Sequence, residues 1–193
     1  MNKLVKEVFD WVKSILIAVI VIFLISTFIT QHYAVNGESM EPTLEGNEPN
    51  QDRVLINKLA KPDYGDIVIV DSRLERERSL KDEIIDNPLV KLFNDNSTET
   101  SFWIKRVIGL PGDLIESRNG SIYRNGEKLE ESFILEEMTI SFEPVVVPKD
   151  AIYLMGDNRN NSLDSTEVGP FPISNIIGEV YIRFYPFSRF GLF

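Results

Sequence analysis

Cysteine is absent from this 193-residue chain, and histidine occurs once, at His32. The first absence excludes disulfides, thiol nucleophiles and thiolate metal sites. The second leaves any Ser-His-Asp arrangement dependent on His32 alone. It also removes histidine-rich metal sites, though not an all-carboxylate one. Positive charge is scarce: 20 Lys and Arg stand against 30 Asp and Glu, a net charge of −10. That balance argues against nucleic acid as a partner, because phosphate backbones are gripped by clustered Lys and Arg. Hydrophobic residues make up 43% of the chain, enough to build a core.

What is present first is an apolar run. Ser14 to Gly37 carries no charged side chain, and Ile15 to Ile29 is almost continuous Ile, Val, Leu, Ala and Phe. Trp11 and Tyr33 bracket it, and a helix would hold them about 33 Å apart, close to the thickness of a bilayer core. Both residue types favour membrane interfaces. The run predicts a transmembrane helix over residues 12–31, after a short cytoplasmic segment, 1–11. Lys3, Lys6 and Lys13 flank its start, and no Lys or Arg follows until Arg53. This puts the N-terminus in the cytoplasm and residues 32–193 outside. A cleaved signal peptide would need small residues at a cleavage site soon after the run, and TFITQHYAVNG has no A-x-A pattern. A buried core helix would suit so uniformly apolar a run less well than lipid does.

From Arg53 the chain reads as short strands rich in Ile, Val, Tyr and Phe: RVLINKL, GDIVIVD, SFWIKRVIGL, SIYRNGEKL, AIYLMGD and IIGEVYIRFY. Gly, Pro, Asn and Asp separate them, and RNG before EKL is a tight hairpin signal. The expected fold class is mainly β, a barrel or sandwich. Ser72 to Thr100 differs, being dense in charge of both signs and then polar. It reads as a solvated insertion with a short helix near Leu74 to Ile85.

With cysteine absent and His32 beside the membrane exit, a serine activated by a neutral lysine remains. Lysine titrates near ~10.4, and holding it neutral at pH 7 disfavours its charged form by roughly 4–5 kcal/mol, which burial can supply. Lys105, in FWIKRVIGL, lies among apolar neighbours, and strand alternation puts Trp103 and Val107 on its face. Lys58, Lys61, Lys81, Lys91, Lys128 and Lys149 stand in polar or turn contexts and read as solvated. Ser39, in NGESMEPTL, follows Gly37 and precedes Pro42, so its loop is constrained. It follows the helix so closely that even an extended tether keeps it within about 28 Å of the membrane exit. Local chemistry alone favours an exposed strand lysine and a turn serine at these two positions. GDNRNNSLDSTEVGP, residues 156–170, is a dense turn cluster whose spacing does not match an EF-hand calcium loop.

Taken together, these clusters resemble the bacterial type I signal peptidases. SMEPTL from Ser39 to Leu44, KRVIGLPGD from Lys105 to Asp113, and GDNRNNSLDS from Gly156 to Ser165 match the family's motifs in order, behind an N-terminal anchor. The resemblance weakens at 72–100 and 117–147. It implies a β catalytic domain with a Ser-Lys dyad that removes signal peptides from exported preproteins after small residues, at A-x-A type sites. Ser39 is then the nucleophile, Lys105 the base, and Ser162 the residue that orients the lysine. The Ser39 backbone N–H and the Gly37 region form the oxyanion site, with glycine at 37 where many relatives carry a hydroxyl. Asp157, Arg106 and Asp164 are structural. Val35, Met40, Leu44 and Ile104 line the pockets for an added substrate strand. Thr166 stands where the family usually has an arginine beside Asp164, and Gln51 where a glycine is common.

The resemblance implies no metal or cofactor. Its partners are signal peptides and membrane lipid, with a monomer favoured. Phe102, Trp103 and the C-terminal FYPFSRFGLF could touch the membrane interface or the core. Two other readings stand beside this one: a self-processing or regulatory Ser-Lys protease, usually soluble and DNA-binding, and an inactive membrane-anchored binding domain.

Overall fold

No glycine or proline interrupts the chain before Gly37, and the apolar run folds as one helix, α1, Lys3–Phe28. The computed structural model describes residues 3–93 and 102–193. The polar side chains within α1 turn inward: Ser14, Ser26 and Thr27 donate their hydroxyls to carbonyls one turn back, at 2.9, 2.8 and 2.7 Å. Almost all its apolar side chains are exposed. The helix starts earlier than the expected span and ends before residue 31. Thr30 and Gln31 belong instead to β1, Thr30–Ala34, because pairing with β2, Arg53–Asn57, captures the backbone there: Thr30 stands opposite Asn57, and Lys58 N–H donates to Ile29 O at 2.9 Å.

The remaining elements are β3 Ile67–Asp71, α2 Leu80–Ile85, α3 Pro88–Lys91, β4 Phe102–Gly109, β5 Leu114–Arg118, β6 Ser121–Arg124, β7 Glu127–Lys128, β8 Val145–Val146, β9 Ala151–Met155, α4 Ser165–Val168, β10 Phe171–Pro172, β11 Ile176–Tyr185 and β12 Gly191–Leu192. The fold is mainly β. The larger sheet has the order β1-β2-β11-β3-β4-β9-β10, with β12 on β11, and the smaller the order β7-β6-β5-β8. All the pairings are antiparallel. β3, the run IVIVD, is buried along its whole length, as an uninterrupted apolar strand at the centre of a sheet must be. The β6–β7 hairpin turns through Asn125 and Gly126, both at positive φ (55° and 85°).

Three apolar clusters make the core. One joins Val35, Met40 and Leu44 to Val54, Ile56, Ile67 and Ile69. A second packs Ile108, Ile115, Ile122 and Tyr153 between the sheets. A third holds Val68, Val107, Leu154 and Phe171. In the C-terminal segment, Phe187, Phe190 and Leu192 remain exposed.

Much of the charged insertion is exposed, but it is pinned to the domain at a few buried points. The Arg78 side chain is only 3% exposed and is bonded to Asp71, Glu83 and Asp86. Asn175 Nδ2 donates to the carbonyls of Arg73 and Arg76, both at 3.1 Å, and its Oδ1 accepts from Arg78 N–H. The helix begins at Leu80, later than Leu74, where Asp82 accepts from the Ser79 N–H and hydroxyl, both at 2.9 Å. Lys58, also expected to be solvated, has a side chain only 6% exposed and bonds Thr27 O at 3.0 Å and Glu83 at 2.8 Å. Residues 94–100 of the expected insertion lie outside the described residues.

Candidate active site

The loop after β1 carries Ser39. Val35 N–H donates to Asp52 O, Met40 is buried beneath the loop, and Gly37 turns it at φ 77°. Three asparagines pin it from outside. Asn158 donates its N–H to Ser39 O and its Nδ2 to Glu38 O, each at 3.1 Å. Asn161 and Asn47 donate to the Glu38 carboxylate at 2.9 and 3.1 Å. Gln51, where the family commonly has glycine, donates to Val35 O and Asn36 Oδ1, both at 2.8 Å. Among the described residues, no acceptor takes the Ser39 N–H.

Lys105 comes from β4, whose register sets it opposite Val68 of β3. It is 4% exposed, and its Nζ lies 2.7 Å from Ser39 Oγ and 5.7 Å from the Trp103 ring centre. Burial brings the lysine down from its ordinary range to about 8, against the opposing pull of the Asp164 and Asp157 carboxylates. Asp157 is engaged in a two-pronged pair with Arg106, at 2.7 and 2.6 Å. Asp164 accepts from Gly156 N–H at 2.9 Å and caps α4. The missing arginine leaves no gap beside Asp164, because Thr166 donates both its N–H and its hydroxyl, at 3.1 and 2.8 Å.

Two residues are placed otherwise than the resemblance implies. Ser162 Oγ is buried, yet it has no hydrogen-bond partner, so the expected contact with Lys105 is not formed. It crowds Gly156 instead, where a Cβ would lie 2.3 Å from Ser162 Oγ and 2.4 Å from Ser39 O. Leu44 does not line the cleft; it is fully buried in the core cluster of Val35 and Met40. Val35, Met40 and Ile104 do line a cleft of about 610 Å³, together with Ser39, Lys105, Tyr33, Phe102, Trp103 and Leu163. Phe102 and Trp103 are thus cleft residues. His32 also borders it, exposed on β1, with its ring edge-on to Phe184.

Sequence reasoning missed several supporting residues. A Cβ on Gly46 would come within 2.0 Å of Gly37 O, so the nucleophile loop rests on a bare backbone. Arg159 and Glu131 form a buried pair that ties the 156–170 turn to the variable region. Phe133 lies under the Arg106 guanidinium at 4.0 Å. Glycines within LEGN and GDN were the only sequence signal for the close contacts.

The site thus sets a buried lysine against a loop serine in a chain without cysteine. The family model described as "Signal peptidase, peptidase S26" matches residues 8–185. The chain belongs to that family and is a serine peptidase hydrolase acting on signal peptides. Signal peptidase I P of Bacillus subtilis subsp. natto is 35% identical, the match covering 95% of this chain and 92% of the relative. Signal peptidase I of Leptolyngbya laminosa is 34% identical, over 94% and 82%. A crystal structure of a signal peptidase I from Enterococcus faecalis V583 aligns with a TM-score of 0.46 at 24% identity, covering 62% of this chain and 97% of that one.

Proposed function

We propose that this chain is a membrane-bound endopeptidase that cuts preproteins after small residues at A-x-A type sites, through a Ser39–Lys105 dyad. The observation that carries it is the 2.7 Å approach of Lys105 Nζ to Ser39 Oγ, with the lysine buried. In its neutral form Lys105 takes the hydroxyl proton as Ser39 Oγ attacks the scissile carbonyl. The Ser39 N–H, turned out by the Gly37 loop, donates to the oxyanion. The lysine then passes its proton to the leaving amine, which departs as the new N-terminus and leaves an ester on Ser39. A water that gives its proton to Lys105 attacks the ester, and Lys105 returns that proton to Ser39 Oγ as the signal peptide leaves with its new carboxylate. We assign the orienting role to Ser162; its buried, unpartnered hydroxyl supports this, as an acceptor for the ammonium that forms.

Among the described residues, β1 is an edge strand, and along Phe102 to Lys105 β4 pairs only with β3, since its pairing to β9 begins at Arg106. Alternating antiparallel neighbours make β1 and β4 run the same way. An extended substrate between the two free edges lies parallel to both, its apolar segment toward the membrane and its cleavage site at Ser39. Val35, Met40 and Ile104 then shape shallow pockets for small side chains, with Leu44 as backing. α1 spans the bilayer with its N-terminal end, which carries Lys6 and Lys13, toward the cytoplasm. Cleavage of a preprotein in detergent, with Ser39→Ala and Lys105→Ala as comparisons, tests the dyad; full activity in either variant overturns it.

A further inference from the structure

The insertion after β3 reaches back to α1. Asn87, wholly buried, donates from Nδ2 to Ser26 Oγ at 2.8 Å, Thr27 Oγ1 at 2.6 Å and Phe23 O at 3.3 Å. Its Oδ1 caps α3 by accepting from Leu89 N–H at 2.8 Å. Beyond this junction Leu89, Val90 and Phe93 meet Val19, Ile20 and Phe23 of α1 across a wholly apolar groove. Among the described residues, no charged side chain lines this groove. Arg78 pairs with Glu83 and Asp86, and Lys91 pairs with Asp86 and lies over the Phe102 ring. Outside remain Leu92, 76% exposed, and Phe93, 92% exposed.

The depth of this contact decides what covers it. Along the helix axis, Phe23 lies about 8 Å and Val19 about 14 Å below Phe28. A hydrocarbon core of about 30 Å that ends at Phe28 begins near Phe9. Asp10 and Lys13 already lie at its inner edge; lowering the outer boundary to Phe23 would carry both about 8 Å deeper and draw Lys6 and Glu7 into hydrocarbon as well. The boundary therefore stays near Phe28, and the groove lies beneath it. We infer that Leu89, Val90, Leu92 and Phe93 form a second membrane contact, a short re-entrant wedge immersed in the acyl chains beside α1. The inference rests on the reading of α1 as the transmembrane anchor. The junction makes the wedge tolerable, since the α1 hydroxyls and Phe23 O accept from the buried Asn87 amide, which lipid could not do. A second point of contact beside α1 limits the tilt of the β domain over the bilayer; a single helix would leave it free to swing.

The absence of cysteine makes the chain a ready background for spin labels. Phe93→Cys, Leu92→Cys, Val21→Cys on α1 and Leu135→Cys on the β domain are each labelled in the full chain, in phosphatidylcholine–phosphatidylglycerol vesicles. Collision with oxygen, which concentrates in hydrocarbon, is compared with collision with a water-soluble nickel chelate. The expected oxygen-to-nickel ratio at positions 92 and 93 is several-fold above that at 135 and comparable to that at 21. Nickel-dominated collision at 92 and 93, with 21 still in lipid, overturns the wedge. If protection there arises only on adding a preprotein, the groove holds a substrate helix and the lipid assignment is likewise overturned. Nickel-dominated collision at 21 as well would instead sink the anchor reading on which the wedge depends. Retained cleavage by each labelled chain verifies the fold.

Discussion

Lys105 Nζ and Ser39 Oγ lie 2.7 Å apart, although 66 residues separate them in the chain. The sheet makes the meeting possible. Ser39 hangs on a loop from edge strand β1, and Lys105 stands on β4 just before β9 begins to pair. The cleft between them holds both groups, with His32 and Lys91 at its border.

If Lys105 is the base, Lys105→Arg removes activity as fully as Lys105→Ala, because arginine keeps its proton. A fall of about 100- to 10,000-fold in kcat/KM is expected for each variant. Preprotein turnover measures it, with circular dichroism confirming the fold.

The pH profile follows from the lysine held at about 8. The base works unprotonated, so kcat/KM rises with pH through about 8 and then levels. A rate flat from pH 6 to 9 counts against Lys105 as the titrating group.

Stability carries the same sign. The folded lysine sheds its proton near pH 8 and the unfolded one near 10.5. The unfolded chain therefore binds more protons between these values, and folding stability rises with pH across that window. Lys105→Met removes the buried charge and should stabilise the inactive protein by up to about 3 kcal/mol at pH 7. Denaturant melts of the two proteins at pH 7 and pH 10 should converge at the higher pH.

Gly46→Ala drives a methyl into the Gly37 backbone. The loop must move, at a cost of about 1–3 kcal/mol in stability. Cleavage should fall further than the folded fraction does, since the displaced segment carries Ser39. A change in melting temperature with cleavage intact would mean the loop absorbs the methyl elsewhere.

Thr166→Val leaves Asp164 Oδ1 with the backbone N–H alone. Thermal unfolding should report a loss of about 1–2 kcal/mol. The ascending limb of the pH profile should stay in place, because the Asp164 charge facing Lys105 is unchanged.

The sequence by itself determined the chemistry open to this chain. The absence of cysteine excluded thiol chemistry, and the single histidine excluded histidine-rich metal sites. The apolar run, the strand periodicity and the Asn-Gly hairpin were legible for the same reason: each depends on residues a few positions apart. Tertiary structure decided whatever depends on distant neighbours. Lys105 and Lys58 are both buried lysines, yet Lys58 reaches Glu83 and Thr27 O while Lys105 meets a serine and a tryptophan face. Leu44 sits in the core and Val35 borders the cleft, although both lie in the same loop region. The charged insertion read as solvated because composition reports how many charges a segment holds. Only the fold reveals that Arg78 and Asp86 cancel each other and that Asn87 grips α1. Desolvation and pairing are properties of what packs against a group, and the sheet brings those partners from elsewhere in the chain.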